Sequence, residues 1–247
     1  MEITSVSNNI VKEYAKLQQK KYRNESGKFL LEGFKAIKEA YDFGIELEHV
    51  FVNKDNAAEY AFASNIIIET NEAVLSKLST TKSAPNAVAV GVQKQYKKED
   101  LKKLNKVVLL ENIKDAGNLG TIIRSATAFG ADGIVLYGDC VDLYNPKCVR
   151  SSVGNLWKLP IIHIEKFSEL EDIFKDFNKL ATLPKSKHLL KGYKAKLPLL
   201  VMFGSEADGL SEKLINFSTD SVKIEMSQTV ESLNLATSVA VILYNIM

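Results

Sequence analysis

Three short segments in the second half of this 247-residue chain each stand where an apolar run gives way to a helix: Asn118-Leu119-Gly120-Thr121-Ile122-Ile123-Arg124, Gly204-Ser205-Glu206-Ala207-Asp208-Gly209-Leu210 and Ser232-Leu233-Asn234. A strand-length apolar run followed by a helix start is the building unit of an α/β fold. Repeated, it sends polar groups to the carboxyl edge of a parallel sheet, where ligands of such folds bind. The three segments therefore predict both the architecture and the edge on which its chemistry sits.

Periodicity fills in the rest. Residues 8–22 read as a basic helix with Ile10, Tyr14 and Leu17 on one face and Lys12, Lys16 and Lys20 on another. A strand and turn at 28–33 follow, then helix 34–43, strand 49–52, helix 56–63, strand 66–69, helix 71–78 and strand 87–92, a smaller α/β domain over residues 1–93. Residues 94–104, polar and lysine-rich, read as a linker. A second α/β domain over 105–247 runs strand 107–111, helix 119–129, strand 133–136, a short helix near 146–153, strand 160–163, helix 168–178, strand 179–183, strand 199–203, helix 211–217, strand 222–226 and helix 232–246. Strands alternating with helices imply parallel pairing with right-handed crossovers.

Composition narrows the chemistry by exclusion. The longest apolar run, Leu197 to Phe203, is strand-length and broken by Pro198, which predicts no membrane partner. The start, Met1-Glu2-Ile3-Thr4, lacks a charged-then-apolar signal segment and predicts a cytoplasmic protein. Cys140 and Cys148, eight residues apart, fit neither a C-x-x-C pair nor a zinc knuckle, and two cysteines are too few for a radical-type iron–sulfur cluster. They read as packed, unreacted thiols. His49, His163 and His188 are scattered outside the three segments, so no metal is assigned.

A net charge of +2 does not by itself announce a nucleic-acid partner, but its distribution is uneven. Six lysines and no acid lie between Lys179 and Lys196 (local +6), six lysines and two acids between Lys94 and Lys106 (+4), and six basic and three acidic residues between Met1 and Lys28 (+3). Any one run could be a solvated face; three together favour contact with phosphate.

Each segment also has a plain structural reading. Asn118 can cap a helix whose Arg124 reaches solvent, and Ser232 can cap the helix that follows, with Leu233 in the core. Gly204 to Ser211 nearly imitates a P-loop, yet Leu210 stands where the phosphate-binding lysine must be and Glu206 and Asp208 would repel phosphate. No G-x-G-x-x-G follows a strand, which excludes the usual dinucleotide fingerprint.

Taken together and in this order, the three segments resemble the signature motifs of the SpoU (TrmH) family of RNA ribose 2′-O-methyltransferases, within the SPOUT class. The first match continues through Ser125-Ala126-Thr127-Ala128-Phe129-Gly130. Asn145-Pro146-Lys147, Arg150-Ser151-Ser152-Val153-Gly154 and Leu159-Pro160 are also similar to the family. The resemblance implies a C-terminal parallel sheet tied in a trefoil knot. It also implies a preceding substrate-binding domain, signalled by Phe29-Leu30-Leu31-Glu32-Gly33, that is similar to small RNA-binding ribosomal proteins. It further implies S-adenosylmethionine as cofactor, held by Gly204, Ile224, Met226 and Leu233, and a catalytic set of Arg124, Asn118, Glu206, Ser232 and Asn234. RNA is the implied partner, and a homodimer through the C-terminal domain the implied assembly.

The chain departs from the family at Ala116 and Glu225, where proline is usual; both changes touch loop stiffness. The resemblance implies methylation of ribosomal RNA, 23S first, with transfer RNA as the alternative substrate. A non-catalytic RNA-binding assembly protein that kept the fold is the alternative from another class. Intact Asn118, Arg124, Glu206, Ser232 and Asn234 weigh against it.

Overall fold

A computed structural model describes residues 1–227, 229–230 and 232–247. The chain divides into two compact units: residues 1–94 together with 142–157, and residues 95–141 together with 158–247. Among the described residues no helix is long and apolar enough to cross a membrane.

In the first unit, strands β1 (Lys28–Glu32), β2 (Leu47–Asn53), β3 (Ile67–Thr70) and β4 (Ala87–Val92) pair in the order β1-β4-β2-β3. β4 runs antiparallel to both neighbours, and β2 and β3 are parallel. Leu30, Phe51, Ile68, Val88 and Val90 meet Val11, Tyr14 and Leu17 in one buried cluster. The helix expected over 8–22 is broken into Asn9–Ala15, a 3₁₀ turn Lys16–Gln18 and Lys20–Ser26, with Gln19 extended. The break is satisfied from within, because the buried Arg23 guanidinium donates to the Leu17 carbonyl (2.7 Å) and twice to Asp142 Oδ2. The helix expected over 56–63 is a 3₁₀ stretch, Lys54–Ile66, interrupted at Tyr60 and Ala63. The helix Pro146–Ser152 belongs to this unit; its Arg150 Nη1 donates to Glu32 Oε1 (2.9 Å) and Thr80 Oγ1 (2.6 Å).

In the second unit, β5 (Lys106–Glu111), β6 (Gly133–Tyr137), β7 (Ile161–Ile164), β8 (Asn178–Thr182), β9 (Leu199–Phe203) and β10 (Asp220–Val222) form a sheet ordered β10-β8-β9-β5-β6-β7. Every pairing is parallel, as the alternation predicts. β9 is buried at all five positions and β5 at Val107 to Leu110, the continuous apolar runs of strands covered on both faces, and Glu111 closes β5 as a buried acid. Because all six strands run the same way, the segments after β5, β8, β9 and β10 leave from one edge.

Three expectations change here. Strand 222–226 is replaced by β10 over 220–222; Lys223 makes only an isolated bridge to Leu189, and the chain then leaves the sheet. Within the stretch read as a linker, Lys98–Lys103 forms a 3₁₀ turn whose Leu101 is fully buried in the sheet's core, fastened by Lys98–Glu169 and Lys102–Asp172 ion pairs. Lys179 leaves the solvated basic run altogether. It is 8% exposed, its Nζ donates to the carbonyls of Phe174, Lys175 and Phe177, and burial lowers its pKa.

Candidate functional site

The site grows from how three helices begin at the carboxyl edge of the second sheet. The helix Ala116–Ala128 is capped by Asp115, whose side chain accepts from the Asn118 N–H (2.8 Å). Asn118 therefore is not the cap that the sequence suggested. It lies in the first turn with its side-chain amide released for other partners, and its Nδ2 donates to Glu206 Oε1 at 2.6 Å. The helix Leu235–Ile246 is capped by Asn234 rather than Ser232, since Asn234 Oδ1 accepts from the Thr237 N–H (3.3 Å). The Asn234 amide nitrogen is then free to donate to Asn118 Oδ1 at 3.1 Å.

Charge fixes the direction of this chain of bonds. An ionised carboxylate only accepts, so Glu206 must face the Asn118 NH2 group; Asn118 Oδ1 is then left to accept from Asn234, whose own oxygen caps its helix. Side chains from all three sequence segments thus form one relay, Asn234 to Asn118 to Glu206. The helices Ala116–Ala128 and Leu235–Ile246 pack against each other, and Leu119, Ile122 and Ile123 of the first and Val239 and Leu243 of the second are buried.

The loop after β9 depends on Gly204. Ser205 and Gly209 exchange backbone hydrogen bonds (3.2 and 3.0 Å), and Gly209 has a positive φ of 68°. A Cβ on Gly204 would sit 1.9 Å from the Gly209 carbonyl carbon and 2.1 Å from the Leu210 nitrogen, so no side chain fits there. Beyond the loop, Ser211 caps the helix Glu212–Phe217, and its N–H donates to Glu111 Oε2 (2.7 Å). Glu111, 3% exposed at the end of β5, so ties the loop bearing Glu206 to the strand leading into the Asn118 helix. Its carboxylate, after burial, is what raises the pKa of Tyr137.

Glu111 and Asp115 are functional positions that the sequence reading missed. A lone acid closing an apolar run marks the first, and the Asp-x-x-Asn spacing of a capping residue marks the second. Of the remaining sequence-selected residues, Ile224 is half-buried and Ser232, Met226 and Leu233 are exposed, so Leu233 is not the core residue of the plain reading. Arg124 is exposed on the same helix as Asn118, about 9 Å further along its axis, and stands outside the hydrogen-bonded relay. Burial raises the pKa of both Cys140 and Cys148, which disfavours the reactive thiolate form. Among the described residues no three His, Cys, Asp or Glu side chains converge.

Comparison with known proteins matches residues 105–244 to the SpoU rRNA Methylase family and residues 8–89 to the MRM3-like substrate binding domain. An uncharacterised tRNA/rRNA methyltransferase of Synechocystis is 33% identical over 98% of this chain and 92% of its own length. The 23S rRNA (guanosine(2553)-2′-O)-methyltransferase of Bacillus subtilis is 26% identical over 99% of this chain and 98% of its own. Among solved structures, the AdoMet-bound rRNA methyltransferase from Sinorhizobium meliloti superposes with a TM-score of 0.89 at 28% identity, covering 99% of this chain and 96% of that one. The SpoU methyltransferase AviRb from Streptomyces viridochromogenes, in complex with AdoMet, gives 0.86 at 25% identity over 96% of each.

Proposed function

Since the chain belongs to the SpoU rRNA methylase family, we propose that it methylates a ribose 2′-hydroxyl of ribosomal RNA, 23S first, using S-adenosylmethionine. The observation that carries this reading is the Asn234–Asn118–Glu206 relay, which joins the three sequence segments into one arrangement. Mapping ribose methyls in RNA from cells with and without the gene tests it. Loss of a single 2′-O-methyl from 23S rRNA is expected; an unchanged ribosomal map contradicts the reading, and a loss confined to transfer RNA moves the substrate.

The residues present suit the cofactor. Gly204 lets the 205–210 loop close tightly on its own backbone and so holds Glu206 in place, the exposed Met226 and Leu233 with half-buried Ile224 offer apolar surface for a purine, and Glu206 offers a carboxylate to polar groups. When bound, S-adenosylmethionine supplies a methyl group activated by its sulfonium. The protein's part is to orient the acceptor and to stabilise negative charge as the hydroxyl loses its proton. Arg124 is the residue suited to that charge. A guanidinium is already protonated and does not accept the proton, so its role is electrostatic. Ser232 and Asn234 direct polar groups toward the ribose, and the relay holds Asn118 and Glu206 in one orientation.

The match of residues 105–244 to the SpoU family supports the homodimer through this domain that the sequence resemblance implies. The order β10-β8-β9-β5-β6-β7, in which the chain passes from the edge strand β7 back across the sheet to β8 and then from β9 over β8 to β10, supports the family's trefoil knot. We place the enzyme in the cytoplasm, where its RNA substrate is made.

A further inference from the structure

The three basic runs of the sequence differ in how much of their charge is already neutralised. In the run from Lys94 to Lys106, Lys98, Lys102 and Lys103 are paired with Glu169, Asp172 and Asp100, and Lys106 Nζ donates to the Met247 carbonyl. In the first 28 residues, Lys21, Arg23 and Lys28 are paired with Glu25, Asp142 and Glu48. The connection from β8 to β9 is different. Lys185, Lys187, Lys191, Lys194 and Lys196 are all exposed there, and none makes an ion pair among the described residues.

This connection is held in place. Leu183 N donates to the Val222 carbonyl, Ser186 Oγ bonds Ser221 Oγ (3.0 Å), and Leu190 N and Lys223 N bond across to the Lys223 and His188 carbonyls (2.8 and 3.0 Å). Asp220 accepts from Tyr193 Oη (2.8 Å) and pairs with His188 Nδ1 (2.8 Å), so the one nearby carboxylate on β10 is spent on anchoring the connection. Ser186 and Leu190 point inward and are buried, whereas Lys185, Lys187 and Lys191 point out. A cationic surface ordered in advance loses less conformational freedom on binding than a free tail does.

Its position is also informative. β8 pairs directly with β9 and runs parallel to it, so residues 183–191 leave the sheet at the same edge as Gly204 and about one strand spacing, roughly 5 Å, to its side. The bridge between Leu189 and Lys223 keeps the connection at that edge before it returns to start β9.

We propose that Lys185, Lys187 and Lys191 form a phosphate-binding surface of the catalytic unit that contacts the RNA backbone beside the candidate site. The proposal rests on the RNA methyltransferase reading above and adds the surface through which this unit itself holds the substrate. Contacts of this kind position the strand without reading its sequence.

The test measures binding of the full chain to unmodified 23S rRNA transcript across a salt series, with S-adenosylmethionine affinity measured on the same samples by calorimetry. In the K185Q/K187Q/K191Q variant, cofactor affinity should persist, RNA affinity should fall roughly tenfold to a hundredfold at physiological salt, and the slope of log K against log salt should become shallower by about 2 to 3. The K185R/K187R/K191R variant keeps the charge and should keep the slope. An unchanged slope in the glutamine variant, a slope lost equally in the arginine variant, or competition by polyglutamate equal to that by RNA overturns the proposal. Absence of cofactor binding in the unaltered protein is a separate result and counts against the methyltransferase reading instead.

Discussion

Replacing Gly204 by alanine isolates what the backbone of the second segment does. The added Cβ would stand 1.9 Å from the Gly209 carbonyl carbon and 2.0 Å from its oxygen, whereas ordinary contact begins near 3.4 Å. All three neighbours are backbone atoms, so no side-chain rotation relieves the overlap, and the 205–210 loop must move by about 1.5 Å. That displacement exceeds the slack in the Asn118–Glu206 bond, which at 2.6 Å breaks once the atoms pass about 3.5 Å. Overpacking of this size costs about 1–3 kcal/mol of stability, and a misplacement of about 1 Å at reacting groups costs roughly a hundredfold in rate. Gly204→Ala should therefore stay folded below its lowered melting temperature, bind S-adenosylmethionine at least tenfold more weakly and methylate RNA about a hundredfold more slowly in single turnover. A folded alanine variant with unaltered cofactor affinity and rate would refute the reasoning from Gly204 to the relay.

The relay itself predicts an ordering of variants: Glu206→Gln, whose amide oxygen can still accept from Asn118, should retain more single-turnover rate than Glu206→Ala, and Asn118→Asp, which sets a second carboxylate at the same oxygen, should be the most damaging. Arg124→Ala should cost about 3 kcal/mol, roughly a hundredfold in turnover, with cofactor affinity unaltered, and Arg124→Lys should recover only part of the rate because its charge lacks the planar fork. Equal single-turnover rates in wild type and both Arg124 variants would remove that residue from the chemistry. Burial works to raise the pKa of Asp220, but bonds from Tyr193, the Ser221 N–H and His188 outweigh it and leave the pKa lowered. Its stabilising contribution is then present above the ordinary aspartate value near 4 and lost as pH falls through the lower folded value, so the melting-temperature gap between wild type and Asp220→Asn should close below about pH 4.

What could be read in the sequence followed local rules. The runs Ala87–Val92 and Leu199–Phe203 are apolar throughout, and both are strands at the expected bounds. Side chains that answer to tertiary partners were harder to read. Nothing local announces that Gln19 breaks the first helix, because the compensating donor, Arg23, is itself buried against Asp142 more than a hundred residues away. Lys179 looked like the start of a solvated run, yet it turns inward to three carbonyls left open where the helix Phe167–Ile173 ends. Leu101, a single apolar residue among charges, gave no periodic signal and is nevertheless core. At the site, the three segments were legible as units. The division of labour within them was not, because Asp115 and Asn234 take the capping roles that Asn118 and Ser232 could equally have filled.

The most direct measurement of the central claim incubates the purified protein with S-adenosylmethionine labelled in its methyl group and unmodified ribosomal RNA, then digests the RNA to nucleosides. The arrangement of Asn118, Arg124, Glu206, Ser232 and Asn234 predicts label in a 2′-O-methylnucleoside from 23S rRNA, abolished when the ribose at that position is replaced by 2′-deoxyribose. Label carried on a base, or no transfer by a protein that binds both cofactor and RNA, would contradict it.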